Sequence, residues 1–408
     1  MDKKLLLDYA RLIAYTGINV EKGEEIWVNA SLDQPEFIEL LVEELYKAGA
    51  GSVTVWWHHD PLGKINSKYM KLSAMARIPP YAMARIKYSA KKLPSMVHII
   101  AEDPDVMKGA NQKKIAMASM KSYPKIKPYR DAMDGKYKWT IAAVPNKNWA
   151  KKVFPDVDED EAVELLWKNI LLTSRVDGND PVENWNKHNE DLISKRTKLH
   201  DMNLVELRYK ANNGTDFKVG LIPGMYWGAG VESAPKKANY NPNIPSEEVF
   251  TTPMRGKAEG TLVASMPLSY RGELIEDFSI TFENGKVSAV KARKNQKLLE
   301  QMVHMDDGAS MIGEVALVPY DSPINNSGIL FYNTLFDENA ACHVALGAGF
   351  QECLPGSQEM TPEQIKEAGV NDSMIHVDFM IGTKDLNIVG IDADGKEIQI
   401  FKDGNWAF

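Results

Sequence analysis

Only two cysteines occur in the 408 residues, Cys342 and Cys353, which excludes a scaffold of structural disulfides and points to a reducing compartment. Long apolar runs are missing too, so no segment reads as a membrane span. The start, Met1-Asp2-Lys3-Lys4, passes directly into an amphipathic pattern and lacks the apolar stretch of a signal peptide. A soluble, cytoplasmic chain with no membrane partner is the expectation. Positive charge is not in excess: the formal net charge is −8, which argues against a general nucleic-acid binder. Basic pairs such as Lys113-Lys114 and Lys236-Lys237 are short and separated, and read as solvated surface. No G-x-G-x-x-G stretch occurs, so nothing supports a dinucleotide cofactor.

What is there has two textures. Leu5, Leu6, Tyr9, Leu12 and Ile13 recur at helical spacing, and Glu25 to Asn29 then reads as a strand. A helix from Pro35 to Lys47 follows, ending at Gly49 and Gly51. Strands are expected at Ser52 to Trp57, Met96 to Ala101 and Lys138 to Val144, with helical stretches between them. Such alternation predicts an α/β domain with a Rossmann-like parallel sheet over residues 1–200. Charged helices are expected at Asp158 to Leu172 and Pro181 to Leu199.

After about Met202 short strands and hairpin turns take over. Leu204 to Lys210, Asp216 to Leu221, Gly260 to Ser265, Asp277 to Phe282 and Lys286 to Lys291 are strand-like, separated by turns such as Asn213-Gly214 and Asn284-Gly285. Residues 201–408 are therefore expected to form an α+β domain with antiparallel strands. Pro355 to Asp372 reads as a polar surface insertion with one short helix.

Metal-ligand residue types concentrate in this second part. If Met374 to Met380 is a strand, His376 and Asp378 point to one side while Ile375, Val377 and Phe379 face a core. Imidazole with carboxylate suits zinc, cobalt or manganese, although H-x-D alone reads equally as a hydrogen-bonded pair. Glu314 stands inside the apolar run Ile312 to Pro319, where a charge is costly unless a cation or donor meets it. Glu247-Glu248 run into Val249-Phe250-Thr251, which alone would read as a strand end in solvent. Asp337 to His343 suits a tightly packed helix or turn. If it is helical, Glu338 and His343 are only loosely on one side, and a lone His343 reads as a core histidine. Gathered in one domain, these acids and histidines favour a shared metal site, a two-metal centre with hydroxide as nucleophile.

Four stretches resemble the M29 family of metallo-aminopeptidases, the thermophilic aminopeptidase and aminopeptidase S group. They are Asn243 to Thr251, Ile312 to Pro319, Phe331 to Gly347 and Asp372 to Gly382. The resemblance implies metal ligands at Glu248, Glu314, His343, His376 and Asp378, with Glu338 in or beside that shell. It implies two divalent ions per chain, zinc or cobalt, with manganese and magnesium as the other options. It also implies a homodimer and removal of the N-terminal residue from peptides with a free N-terminus. Glu247 and Glu338 are the candidates for the general base, and the sequence does not choose between them. Seven residues after His343 the family pattern has a tyrosine where this chain has Phe350, which supplies neither ligand nor donor. That departure keeps open a peptide-binding protein with a catalytically weakened site. In Pro253-Met254-Arg255 the arginine either orients a bridging acid, binds a substrate carboxylate, or forms an ordinary surface ion pair.

Overall fold

A computed structural model of the chain describes residues 1–101 and 103–408. It divides into two compact units: Met1–Asn186 with Val231–Ile244, and Lys187–Gly230 with Pro245–Phe408.

The first unit is built on a five-stranded parallel sheet in the order Ser52–His58, Glu25–Ser31, Ser95–Ile100, Trp139–Ala143, Asn243–Ile244. The expected α/β alternation is present. The last strand arrives about a hundred residues after the fourth and is two residues long, too short for a periodicity to reveal. Helices Lys3–Leu12, Pro35–Lys47 and Glu159–Thr173 supply the aromatic centre, where Tyr9, Phe37 and Trp167 contact one another. Asp158 caps the last of these by accepting from the Glu161 N–H.

The second unit is α+β and antiparallel. A nine-stranded sheet carries the predicted hairpins, with Pro253–Val263 and Glu273–Glu283 each eleven residues long. A second sheet runs His376–Met380, His343–Gly347, Ile312–Leu317, Val249–Thr251, Gly228–Ala229. Its alternation is what places the candidate site. Val249, Val315, Leu317, Val344, Leu346 and Phe379 are fully buried on the face turned to the core. Glu314 and Asp378 both pair with Ala345, and His343 pairs with Ala316, so these residues fall on the other face. Alanines at 316 and 345 leave room there for the longer acids and imidazoles.

Two local expectations change. The strand expected from Met374 begins at His376. The segment Asp337 to His343 is not one helix: Thr334–Asp337 is α, Glu338–Ala340 is a 3-10 turn, and His343 opens a strand. Gly347 lets that strand pass close to its neighbour, since φ is +107° and a Cβ would lie 2.0 Å from the Ile375 carbonyl oxygen.

Candidate metal centre

The ligand face of the five-stranded sheet brings together all five residues implied as metal ligands. Glu248, Glu314 and His343 form one triad and Glu314, His376 and Asp378 a second, with ligand atoms within 4.8 Å of one another in each. Glu314 belongs to both. His343 Nε2 is 3.2 Å from Glu248 Oε2. His376 Nε2 is 3.2 Å from Glu314 Oε2 and 3.3 Å from Asp378 Oδ1.

Each imidazole is oriented from behind. His376 donates through Nδ1 to the Ala348 carbonyl at 2.7 Å, and His343 through Nδ1 to the Ala341 carbonyl at 3.3 Å. A carbonyl only accepts, so the Nδ1 atoms carry the protons and Nε2 faces the carboxylates. This is the arrangement that readies an imidazole for a cation.

The charge balance tells the same story. Burial pushes Glu314 up to about 7; His376 pulls it back, while Asp378 and Glu248 add to the rise. Glu338 is raised well above the carboxylate range, first by burial and then by Asp378 and Glu248. Burial would lower His343, but Glu248, Glu314 and Asp378 together lift it to about 10. His376, likewise opposed by burial, is lifted to about 12 by Asp378 and Glu314. Asp378 would rise with burial but is held low by His376 and His343. Its buried Oδ1 has His376 Nε2 at 3.3 Å but no well-formed hydrogen bond. Acids in excess of imidazoles, buried and converging without a full set of hydrogen bonds, fit a cage for divalent cations.

The two general-base candidates part company. Glu338 lies among the cage acids. Glu247 has its carboxylate 3.8 Å from His188, and its N–H donates to Asn339 Oδ1 at 2.7 Å. His188 Nε2 also donates to the Ser246 carbonyl at 2.7 Å. His188 and Asn339 thus hold the segment that delivers Glu248. Neither was visible in the sequence, because helix Pro181–Asp201 is polar and the partner carbonyl of His188 lies 58 residues away. The Glu247-Glu248 pair is buried, not a strand end in solvent.

Arg255 makes an ion pair with exposed Asp307 at 3.2 Å and reaches Asn371 at 3.3 Å, so the surface-pair reading is the one realised. Phe350 lies with its ring centroid 4.9 Å from that of His376 and 5.2 Å from that of Phe250. Its N–H donates to Thr252 Oγ1 at 2.7 Å.

Comparison with known proteins identifies the family. The profile of the family described as "Thermophilic metalloprotease (M29)" matches residues 2–406. Aminopeptidase AmpS of Bacillus subtilis (strain 168) is 40% identical over 402 residues, 98% of each chain. Aminopeptidase T of Thermus thermophilus is 34% identical over 405 residues, 99% of this chain and 98% of its own. The solved structure of wild-type AmpT from Thermus thermophilus superposes with a TM-score of 0.91 at 33% identity, over 100% of both chains. With the family profile and the relatives both spanning the chain almost end to end, this protein belongs to the M29 family of metallo-aminopeptidases.

Proposed function

We propose that the chain releases the N-terminal residue from peptides by using two divalent ions, one in each triad. The observation that carries this reading is Glu314, a buried carboxylate common to both triads and so suited to bridge two ions. Glu248 and His343 would hold one ion, His376 and Asp378 the other. The carboxylate and imidazole donor set suits zinc or cobalt. Ions bound there would supply Lewis acidity and lower the pKa of a water.

The chain's own residues supply the rest. Glu338, buried among the cage acids, would take and return a proton, a reading its raised pKa supports. Glu247, turned to His188, serves to position Glu248. A cavity of about 20 Å³, room for a group of water's size, opens beside Glu338 and Asp378. Thr334, Asp337 and Ser269 give it polar walls, and Pro267, Leu268 and Met380 give it apolar ones. The carboxylates favour a cationic group such as a free α-ammonium, which suits an exopeptidase. A homodimer is carried over from the family resemblance. A cytoplasmic setting is supported by two cysteines that are both free and buried.

The test is hydrolysis of amino-acid p-nitroanilides with added Co²⁺ or Zn²⁺, beside N-acetylated counterparts and the His376→Ala variant. Metal-dependent turnover of the free-amine substrates alone is expected. Metal-independent turnover, or a fully active variant, overturns the assignment.

A further inference from the structure

Four helices of the first unit form one layer, Pro61–Tyr69, Leu72–Met75, Pro80–Lys92 and Gln112–Met133, which meets the sheet where Tyr88 stacks on Trp27 and Arg85 lies over Trp56. The last of these helices packs against the other three. Basic clusters that are separated along the sequence are therefore gathered in one helical layer. From Pro61 to Met133 the sequence has 15 lysines and arginines against four aspartates and glutamates, a formal charge of +11 in a chain of −8. The rest of the chain carries −19.

Two further properties separate this layer from an ordinary solvated surface. First, it buries little of itself. Among its described residues only Ser67, Ser89, Ala118 and Met133 are buried within the four helices. Helix Pro35–Lys47 alone buries five of its thirteen residues. Second, it exposes large apolar side chains: Leu62 is 54% exposed, Ile65 51%, Tyr69 72%, Tyr81 79% and Met120 68%. Its cations are also little neutralised. Lys127 pairs with Asp131, but among the described residues no carboxylate contacts Lys64, Lys87, Lys113, Lys121 or Lys125.

We infer that this layer is a docking surface for an acidic polypeptide segment with interspersed apolar side chains. Charge complementarity sets the sign of the partner. The methionines and tyrosines exposed between the lysines, such as Tyr69, Tyr81 and Met120, are residue types enriched at protein-binding surfaces. The choice of a polypeptide over another polyanion rests on the family's being a peptidase. The inference itself is independent of the metal cage. Docking would raise the local concentration of acidic peptides near the enzyme without adding a contact to the catalytic groups.

The test is fluorescence anisotropy of the full chain with an N-acetylated, fluorescein-labelled peptide of roughly 20 residues that alternates glutamate with leucine and tyrosine. A lysine counterpart, a single-stranded RNA of similar length and phosphatidylserine vesicles are the other arms. Binding of the glutamate peptide that weakens at least about tenfold between about 50 and about 300 mM salt is expected, because exposed charges are screened. The triple variant Lys113→Glu, Lys121→Glu, Lys125→Glu should weaken it by a further factor of about ten. The control triple Lys218→Glu, Lys291→Glu, Lys402→Glu, at exposed positions of the second unit, should change it less than about twofold. No binding at low salt, equal binding of the lysine counterpart, or equal loss in both triples overturns the proposal. Tighter binding of RNA or vesicles than of the peptide overturns the polypeptide occupant. Sedimentation velocity supplies the last arm: self-association abolished by the first triple would assign the layer to a second copy instead.

Discussion

Glu248 and His343 keep 10% and 1% of their side chains exposed, whereas His376, across Glu314, keeps 28%. The two triads thus share one carboxylate but differ in contact with solvent. Withdrawal from water strengthens every charge–charge interaction and makes an unpaired charge expensive, so the buried triad is the more rigid and the less tolerant of loss. The triad on the edge strand His376–Met380 is the one expected to exchange an ion more readily, and the small cavity opens beside its Asp378. On the proposed two-ion reading, one centre would favour retention and the other access.

Removing what the two share should erase the difference. Glu314→Gln is expected to reduce metal content below one ion per chain. It should also lower kcat/KM by about three orders of magnitude, or ~4 kcal/mol. Mass spectrometry of the native protein and steady-state rates check both, and two retained ions would remove Glu314 from its bridging place. Breaking one side at a time should expose the asymmetry. Without ions, His343→Ala leaves Glu248 buried beside Glu314 with no cation, and a loss of about 3–5 kcal/mol is expected on breaking a buried pair. His376→Ala removes the most exposed ligand and opens Glu314 and Asp378, 4% and 9% exposed in the parent, to water from that side, so its loss should be smaller. Denaturant unfolding of the two ion-free variants decides, and equal losses would show that exposure does not distinguish the triads.

Acidity gives a third handle. Ion-free, His343 and His376 hold protons up to about pH 10 and about 12. An ion needs the neutral imidazole, so loading at pH 7 must expel those protons. Apparent affinity should therefore rise with pH, by about tenfold per pH unit for each proton displaced. Calorimetry of Co²⁺ binding in buffers of different ionisation enthalpy should find about one proton released per ion at pH 7. No release would show that the histidines are not the ligands.

The same contrast explains what the sequence could disclose. Glu314 was legible because an acid inside an apolar strand contradicts its own neighbourhood. His376 and Asp378 were legible because a strand has a period of two. The parallel and antiparallel textures were legible for the same reason, since each is a local repetition. His343 was placed on a helix or turn because small residues such as Ala340 and Ala341 suit either. Only the pairing of Ala316 with His343 makes it a strand residue. The separation of Glu247 from Glu338 depends on His188 and Asn339, whose contacts span 59 and 92 residues. No local pattern carries such contacts. The basic helical layer was missed by the same logic, because Lys114 reaches the Ser67 carbonyl, 47 residues away, only when their helices pack.

His188 offers a way to weaken the buried triad from outside it. His188→Ala removes the donor to Ser246 and should cost the Glu248–His343 site on the order of tenfold in Co²⁺ affinity, as loss of a supporting hydrogen bond does. His188→Gln retains a donor and should recover most of it. Loss without recovery would mark His188 as packing alone.

Phe350 offers the mildest and most selective break, on the open side. The Nδ1 bond to the Ala348 carbonyl fixes how His376 is tethered, but an imidazole on an edge strand can still rock about that bond. The Phe350 ring, tilted 48° against it and backed by Phe250, limits that motion. Such an aromatic contact is worth about 1 kcal/mol. Phe350→Ala should therefore weaken ion binding at the Glu314–His376–Asp378 triad by roughly fivefold and leave the buried triad unchanged. Phe350→Tyr, which keeps the ring, should bind as the parent does. Co²⁺ titrations followed by the visible spectrum resolve two affinities, and an equal shift of both would show that Phe350 supports the fold of the sheet instead of one face of one ligand.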